Sequence, residues 1–218
     1  MNMIARRPIR VLVADDHPLI RLGVASVLEH QPDMELIGEA EDGLEAVEGF
    51  RRLRPDVALI DLQMPRMGGL DAIVAIRAEF PSARLVVLTT YAGDAQALRA
   101  MKAGATGYLL KSTLRRELLD VIRGVHAGGI HIPPEIANDI GMNAMRDTLS
   151  DRELEVLRCV ARGLANKGVA RDLGITEETV KAHVKSIFAK LGVADRTEAV
   201  TIAARRGIID LSPGSGPL

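Results

Sequence analysis

In VLVADDHP an apolar run ends abruptly in two adjacent carboxylates, Asp15 and Asp16. A second run, VALID, ends in Asp61, and two more end at Thr89 and Lys111. Carboxylates at close range repel, so three of them in one place call for a cation. All-oxygen ligation with room for water suits Mg2+, or Mn2+ in its place. A divalent ion touching Asp16 and Asp61 leaves Asp61 one free oxygen, which can attack phosphorus. The three phosphoryl oxygens would then meet the metal, the Lys111 ammonium and the Thr89 hydroxyl. One aspartate at such a junction usually only caps the following helix. Five groups at four apolar ends outweigh that simpler explanation.

These groups converge only if the runs are strands of one sheet. Short β-branched runs occur at Arg10–Ala14, Met34–Ala40, Val57–Asp61, Arg84–Thr89 and Gly107–Leu110. Helical periodicity fills the gaps at Leu19–Glu29, Leu44–Arg54, Leu70–Glu79 and Ala95–Ala103, and again at Leu114–His126. Alternation of this kind predicts a five-stranded parallel sheet in a doubly wound α/β domain. The runs Val11–Val13 and Val57–Ile60 are apolar throughout, as central parallel strands require. In the common order 2-1-3-4-5, ligands bind at the carboxyl ends of the strands, near the switch point. There the first and third strands are neighbours, and every strand end except the second carries a polar group.

The pattern changes after Gly128-Gly129. Residues 128–148 contain Pro133-Pro134 and are expected to form a linker with one short helix near Glu135–Met142. From Ser150 only helical patterns remain: Ser150–Arg162, Lys167–Leu173, Glu177–Leu191 and Arg196–Arg206. Gly163, Gly174 and Gly207 stand at or past three of the helix ends, as C-terminal caps do. The tail, 212–218, is rich in Pro, Gly and Ser and is expected to fray. Thr176 is a good N-cap for the helix from Glu177, whose first turn is acidic. At about 100° per residue, Val180, Val184, Ile187, Phe188 and Leu191 share a core face. Lys181, Ala182, Lys185, Ser186 and Ala189 share the opposite one. Lysines one turn apart among small residues make a narrow cationic surface that a DNA major groove accepts; a solvated helix face is the plainer alternative.

Apolar residues make up 47% of the 218, enough for packed domains. No apolar run reaches the roughly 18 residues of a membrane span, and MNMIARRPIR does not read as a secretory signal. A single cysteine, Cys159, excludes an internal disulfide and suits a reducing cytoplasm; its apolar setting makes it a small core residue. Residues 149–218 hold 11 Lys+Arg and 9 Asp+Glu, a balance of +2, against −3 for the rest. Two tyrosines, three phenylalanines and no tryptophan leave little for base stacking, so duplex DNA fits better than single strands or RNA.

The motifs VADDHPLIRLG, ALIDLQMPRMGGLDAI, VVLTTYAGD and MKAGATGYLLKS, across about residues 9–127, resemble the receiver domain of two-component response regulators. The resemblance implies a flavodoxin-like domain over 1–127 with Asp61 as phosphoacceptor. Asp15 and Asp16 would complete the acidic pocket, and the Gln63 carbonyl would help hold the metal. Lys111 would bind the phosphoryl group, with Thr89 and Tyr108 as a switch pair. Ser112 follows Lys111 where many receivers carry proline, often behind a cis bond. A haloacid-dehalogenase-type phosphatase would instead need an acid two residues after its aspartate, and Gln63 stands there.

The stretch LSDRELEVLRCVARGLANKGVARDLGITEETVKAHVKSIFAKLGVADRTEAV resembles the four-helix LuxR-type DNA-binding domain, expected here over 149–211. That resemblance makes Glu177–Leu191 the recognition helix, with Lys181, Ala182 and Lys185 nearest the bases. Asn166, Lys167, Thr176, Thr179, Arg196 and Thr197 would contact phosphates. Gly168 departs from the bulkier residue usual there and costs a helix about 1 kcal/mol relative to Ala; close approach of another helix would account for it. The two resemblances together are those of the NarL/FixJ family. They imply a cytoplasmic, non-enzymatic regulator phosphorylated by a sensor histidine kinase, homodimeric at least when phosphorylated, and bound to double-stranded DNA. The helix Arg196–Arg206, through Val200, Ala203 and Ala204, offers either a dimer surface or more core. A phosphorylation-independent DNA-binding or scaffolding protein, using the receiver only to dimerise, is the alternative.

Overall fold

The computed structural model describes residues 7–90, 93–143 and 149–209. The tail expected to fray lies outside these residues. Contacts divide the chain into two compact units, one closing at Pro134 and one continuing from Glu135.

The first unit alternates strand and helix. β1 (Ile9–Ala14), β2 (Met34–Ala40), β3 (Val57–Asp61), β4 (Leu85–Thr89) and β5 (Gly107–Leu110) alternate with α1 (Pro18–Glu29), α2 (Gly43–Leu53), α3 (Gly69–Glu79) and α4 (Asp94–Ala103), and α5 (Leu114–His126) follows. The strands form one sheet in the order β2-β1-β3-β4-β5, and every neighbouring pair is parallel. β3 and β4 are buried along their whole length, which is why their sequences show no polar alternation. α5 places Leu114, Leu118, Val121, Ile122 and Val125 on one face. With Val24 and Leu28 of α1 they cover Val11, Val13, Leu59, Val86 and Leu88 of the sheet. Asp42 caps α2 by accepting the Glu45 N–H at 2.8 Å. This parallel α/β architecture is the one expected from the alternation of the runs.

Beyond α5 the chain returns to the sheet. His131 forms a parallel bridge with Gly107. The Tyr108 N–H donates to the His131 carbonyl, and the His131 N–H donates to that of Thr106. Part of the segment expected as linker is therefore hydrogen-bonded along the outer edge of β5. Every peptide bond among the described residues is trans, including the one before Ser112.

The second unit is helical: α6 (Pro134–Asn143), α7 (Asp151–Ala161), α8 (Asn166–Leu173), α9 (Glu177–Leu191) and α10 (Arg196–Arg205). Its boundaries follow cap chemistry. Ser150 and Glu153 form a reciprocal capping box on α7, Thr176 caps α9 and Asp195 caps α10. Gly174 and Gly192 end α8 and α9 in the left-handed conformation, at φ 65° and 70°, which glycine alone adopts freely. Val156, Leu157, Val160, Val169, Val180, Ile187, Leu191, Ala199 and Ala203 form the core. Ala203 is therefore core, and Val200 and Ala204 pack partly against it. Cys159 belongs to the same core, as its apolar setting implied. The explanation offered for Gly168 fails. A methyl there would meet only the Leu164 side chain, at 3.5 Å, an ordinary contact, and nothing else in the structure explains the glycine. No helix among the described residues is long and apolar enough to cross a membrane.

Candidate functional site

Strand register brings the polar ends together. Ala14 pairs with Ile60, so Asp15 emerges beside Asp61. Thr89 pairs with Leu110, and the Lys111 N–H donates to the Thr89 carbonyl at 2.7 Å. The Lys111 ammonium lies 2.8 Å from Asp15 Oδ2 and 2.8 Å from Asp61 Oδ2. Asp15 is fully buried, Asp61 and Thr89 nearly so, and Asp16 remains exposed. Neither member of the acid pair caps α1. The N-cap is His17, with no side-chain bond to the helix, while Asp15 Oδ1 accepts the His17 N–H at 2.9 Å.

Charge in this pocket is finely opposed. Burial pushes the Asp61 carboxyl up to about 6; Lys111 pulls it down, Asp15 pushes it up, and a Gln63 backbone hydrogen bond pulls it down. Burial works against the Lys111 charge, yet the bonds from Asp15 and Asp61 prevail and hold its pKa above the usual lysine range. Asp15, Asp16, His17 and Asp61 each present one ligand atom, all within 4.8 Å of one another. Three carboxylates form a hard oxygen donor set, and the Gln63 backbone lies beside them. That chemistry fits Mg2+ or Mn2+ far better than a soft metal. The Tyr108 ring is fully buried, and its hydroxyl shares a hydrogen bond with the Thr89 side chain. Burial raises the phenol pKa, so it stays protonated.

Four further residues contribute to the pocket. His17 is the N-cap of α1, and its Nδ1 lies 2.6 Å from Asp16 Oδ1. Gly69 starts α3 against the Asp61 carbonyl; a Cβ there would come within 1.9 Å of that oxygen. Arg66, at φ 60°, pairs with the buried Asp42 and with Glu45, tying the loop after β3 to the loop after β2. Arg21 is a buried guanidinium held by Glu39 and Glu41. The end of β2, which carries none of the five groups expected to do chemistry, thus holds two of the loops in place. A GG pair was the one local signal for Gly69; the partners of Arg66 and Arg21 lie far from them in sequence.

In the second unit, Lys181, Ala182 and Lys185 lie exposed along α9, while Val180, Ile187 and Leu191 are buried. Ser186 departs from the expected outer face: its hydroxyl donates to Glu153 Oε1 at 2.7 Å. Lys190 also turns to Glu153, with Nζ 2.8 Å from Oε2. Lys167, Thr176 and Thr197 are exposed, whereas Asn166, Thr179 and Arg196 are half-buried. Arg196 donates to the Leu164 carbonyl and to Asn166 Oδ1, bracing the turn between α7 and α8. Thr179 Oγ1 lies 2.8 Å from Thr176 Oγ1 within the α9 cap. His183 is half-buried, between the core and outer faces.

Residues 11–123 match the response regulator receiver domain, and residues 147–203 match the bacterial regulatory proteins of the luxR family. The transcriptional regulatory protein LiaR of Bacillus subtilis is 40% identical over 210 residues, covering 93% of this chain and 100% of LiaR. The chain is a response regulator of the NarL/FixJ family. The response regulator protein VraR of Staphylococcus aureus is 36% identical to this family member over 207 residues, covering 92% and 99% of the two chains. Among solved structures, the response regulator ChrA of a heme-sensing two-component system is 37% identical, with a TM-score of 0.55, over 94% of this chain and 100% of ChrA. The RcsB–DNA complex is similar at 26% identity and a TM-score of 0.68, over 91% and 99%. A response regulator that joins a receiver to a LuxR-type DNA-binding domain is a transcriptional regulator.

Proposed function

We propose that this response regulator is switched by phosphorylation of Asp61 and reads operator DNA through α9. The observation that carries the proposal is the convergence of Asp15, Asp16 and Asp61 within 4.8 Å, with Lys111 Nζ 2.8 Å from Asp61. An Asp61 carboxylate oxygen attacks the phosphorus of a phosphohistidine on a sensor kinase. The P–O bond forms as the P–N bond breaks, and the imidazole nitrogen leaves with the electron pair. Bound Mg2+, or Mn2+, held by Asp15, Asp16, Asp61 and the Gln63 carbonyl, supplies positive charge against the carboxylates and the transferred group. The Lys111 ammonium and the Thr89 hydroxyl bind the phosphoryl oxygens, and the Thr89–Tyr108 pair carries the change to the receiver surface. In this proposal the receiver is 1–127, the linker 128–148, the DNA-binding domain 149–211 and the tail 212–218.

The phosphorylated protein works in the cytoplasm as a homodimer on two half-sites of double-stranded DNA. Lys181, Ala182 and Lys185 face the bases. Asn166, Lys167, Thr176, Thr179, Arg196 and Thr197 touch phosphates, the exposed Lys167, Thr176 and Thr197 most directly. The solved RcsB–DNA complex supports DNA as the partner. The deciding experiment incubates the protein with Mg2+ and acetyl phosphate and weighs it. Wild type is expected to gain one phosphoryl group and Asp61→Asn none; no gain by wild type would remove the switch and leave a phosphorylation-independent DNA-binding protein. At the DNA end, Lys185→Ala is expected to weaken operator binding by about 1–3 kcal/mol. Lys167→Ala should weaken operator and random DNA alike and flatten the salt slope by about one unit. Unchanged operator affinity in Lys185→Ala would move the groove face elsewhere.

A further inference from the structure

Every polar group of Asp15 is held from outside. Its N–H donates to the Ala40 carbonyl at 3.1 Å. Its carboxylate meets Lys111 and the His17 N–H. Its carbonyl accepts from Arg21 Nη1 at 2.7 Å. Asp16 has no such anchorage of its own. Its side chain is 34% exposed, and among the described residues only the His17 ring reaches it, Nδ1 lying 2.6 Å from Oδ1. Consecutive side chains of an extended strand point to opposite faces. For Asp15 and Asp16 to converge on one cation, the peptide between them must leave the strand plane and be kept there.

A planar peptide fixes the next Cα once its carbonyl is fixed. Arg21 is suited to hold that carbonyl. It is 8% exposed, and it crosses from α1 to the ends of β1 and β2. Nε donates to Glu39 at 3.0 Å and Nη2 to Glu41 at 2.7 Å, so three separate acceptors orient the planar fork. Glu39 and Glu41 also balance its charge, which limits the repulsion it exerts on a nearby cation. A lysine in its place could not span three acceptors with the same rigidity.

We infer that Arg21 is a positioning residue for the metal centre: it fixes the peptide between Asp15 and Asp16 and so aims the Asp16 carboxylate into the pocket. The inference rests on the metal-centre reading given above. It makes a prediction whose sign separates it from plain electrostatics. Removing a nearby positive charge should tighten the binding of a divalent cation; releasing the peptide should weaken it.

The test titrates the full chain with Mn2+, following the free ion by electron paramagnetic resonance, at a temperature where circular dichroism shows each variant folded. Arg21→Met is expected to raise the Mn2+ dissociation constant about tenfold, the lower end for residues that orient metal ligands. In an Asp16→Asn background the same substitution should change it by less than about twofold, because the carboxylate it aims is gone. Arg21→Lys should fall between wild type and Arg21→Met, and it provides the comparison if Arg21→Met is poorly folded. A dissociation constant for Arg21→Met within about twofold of wild type, or lower, overturns the positioning role whatever happens to stability. The same loss in both backgrounds also overturns it, because the effect would not pass through Asp16. Wild type that binds no Mn2+, or binds it equally well as Asp61→Asn, overturns the metal-centre reading and this inference with it.

Discussion

Lys111→Met is expected to slow phosphoryl uptake by Asp61 about a hundredfold, the scale of losing one preorganised charged donor from a transition state. The ammonium touches both Asp15 and Asp61 at 2.8 Å. Its loss has two consequences that act in the same direction. One phosphoryl oxygen loses its donor. Asp61, already pushed up to about 6 chiefly by burial, loses the cation that pulls it down and is more often protonated at neutral pH, when it is no nucleophile. The same change makes the pocket more negative, so Mg2+ should stabilise the variant against heat more than it stabilises wild type. Single-turnover mass measurements with acetyl phosphate give the rate, and melting curves with and without Mg2+ give the second effect. Uptake within about threefold of wild type would remove Lys111 from the chemistry.

Glu153→Ala is expected to cost the helical unit about 3 kcal/mol at pH 7. Glu153 is 5% exposed. Burial alone would raise its pKa, but bonds from Lys190, Ser186 and the Ser150 backbone and side chain outweigh it and hold the carboxyl down at about 2, from 4.5. The folded state therefore favours the charged form. This stability is fully present above pH 4.5 and is lost as the pH falls toward 2. Wild type and variant should differ most near neutrality and converge only as the pH reaches about 2, as read by urea denaturation followed by circular dichroism. Because Ser186 and Lys190 lie on α9, the same carboxylate docks the capping box of α7 onto the proposed recognition helix. A loss below about 0.5 kcal/mol, the range of an exposed pair, would show that the network is merely superficial.

Much of this was written in local patterns. Short β-branched runs with turn signals between them located all five strands, and β3 and β4, buried along their whole length, left no alternation to confuse. Thr176 and Gly174 marked the turn before α9 because caps act within a few residues of the chain. Asp61 was legible because it ends such a run. Ser186 was not: helical angle alone puts it on the outer arc, and only a buried carboxylate from α7 draws it inward. Arg21 and Arg66 were hidden for the same reason, since their partners lie on other elements and no periodicity records them. The α10 alanines were ambiguous in sequence because small residues suit a core and an interface equally well. Packing decided for the core at Ala203.

The bridge between His131 and β5 also matters for the sheet as a solid object. A strand at the margin of a sheet presents unpaired N–H and carbonyl groups and invites another chain to add on. β5 is such a margin, and its Tyr108 N–H and the carbonyl of Thr106 just before it are taken up by His131. The segment leaving the receiver thus also serves as its selvedge, closing the weave where it would otherwise unravel into intermolecular pairing. A receiver severed at residue 127 would lose that border, whereas one carried on to Pro134 would keep it.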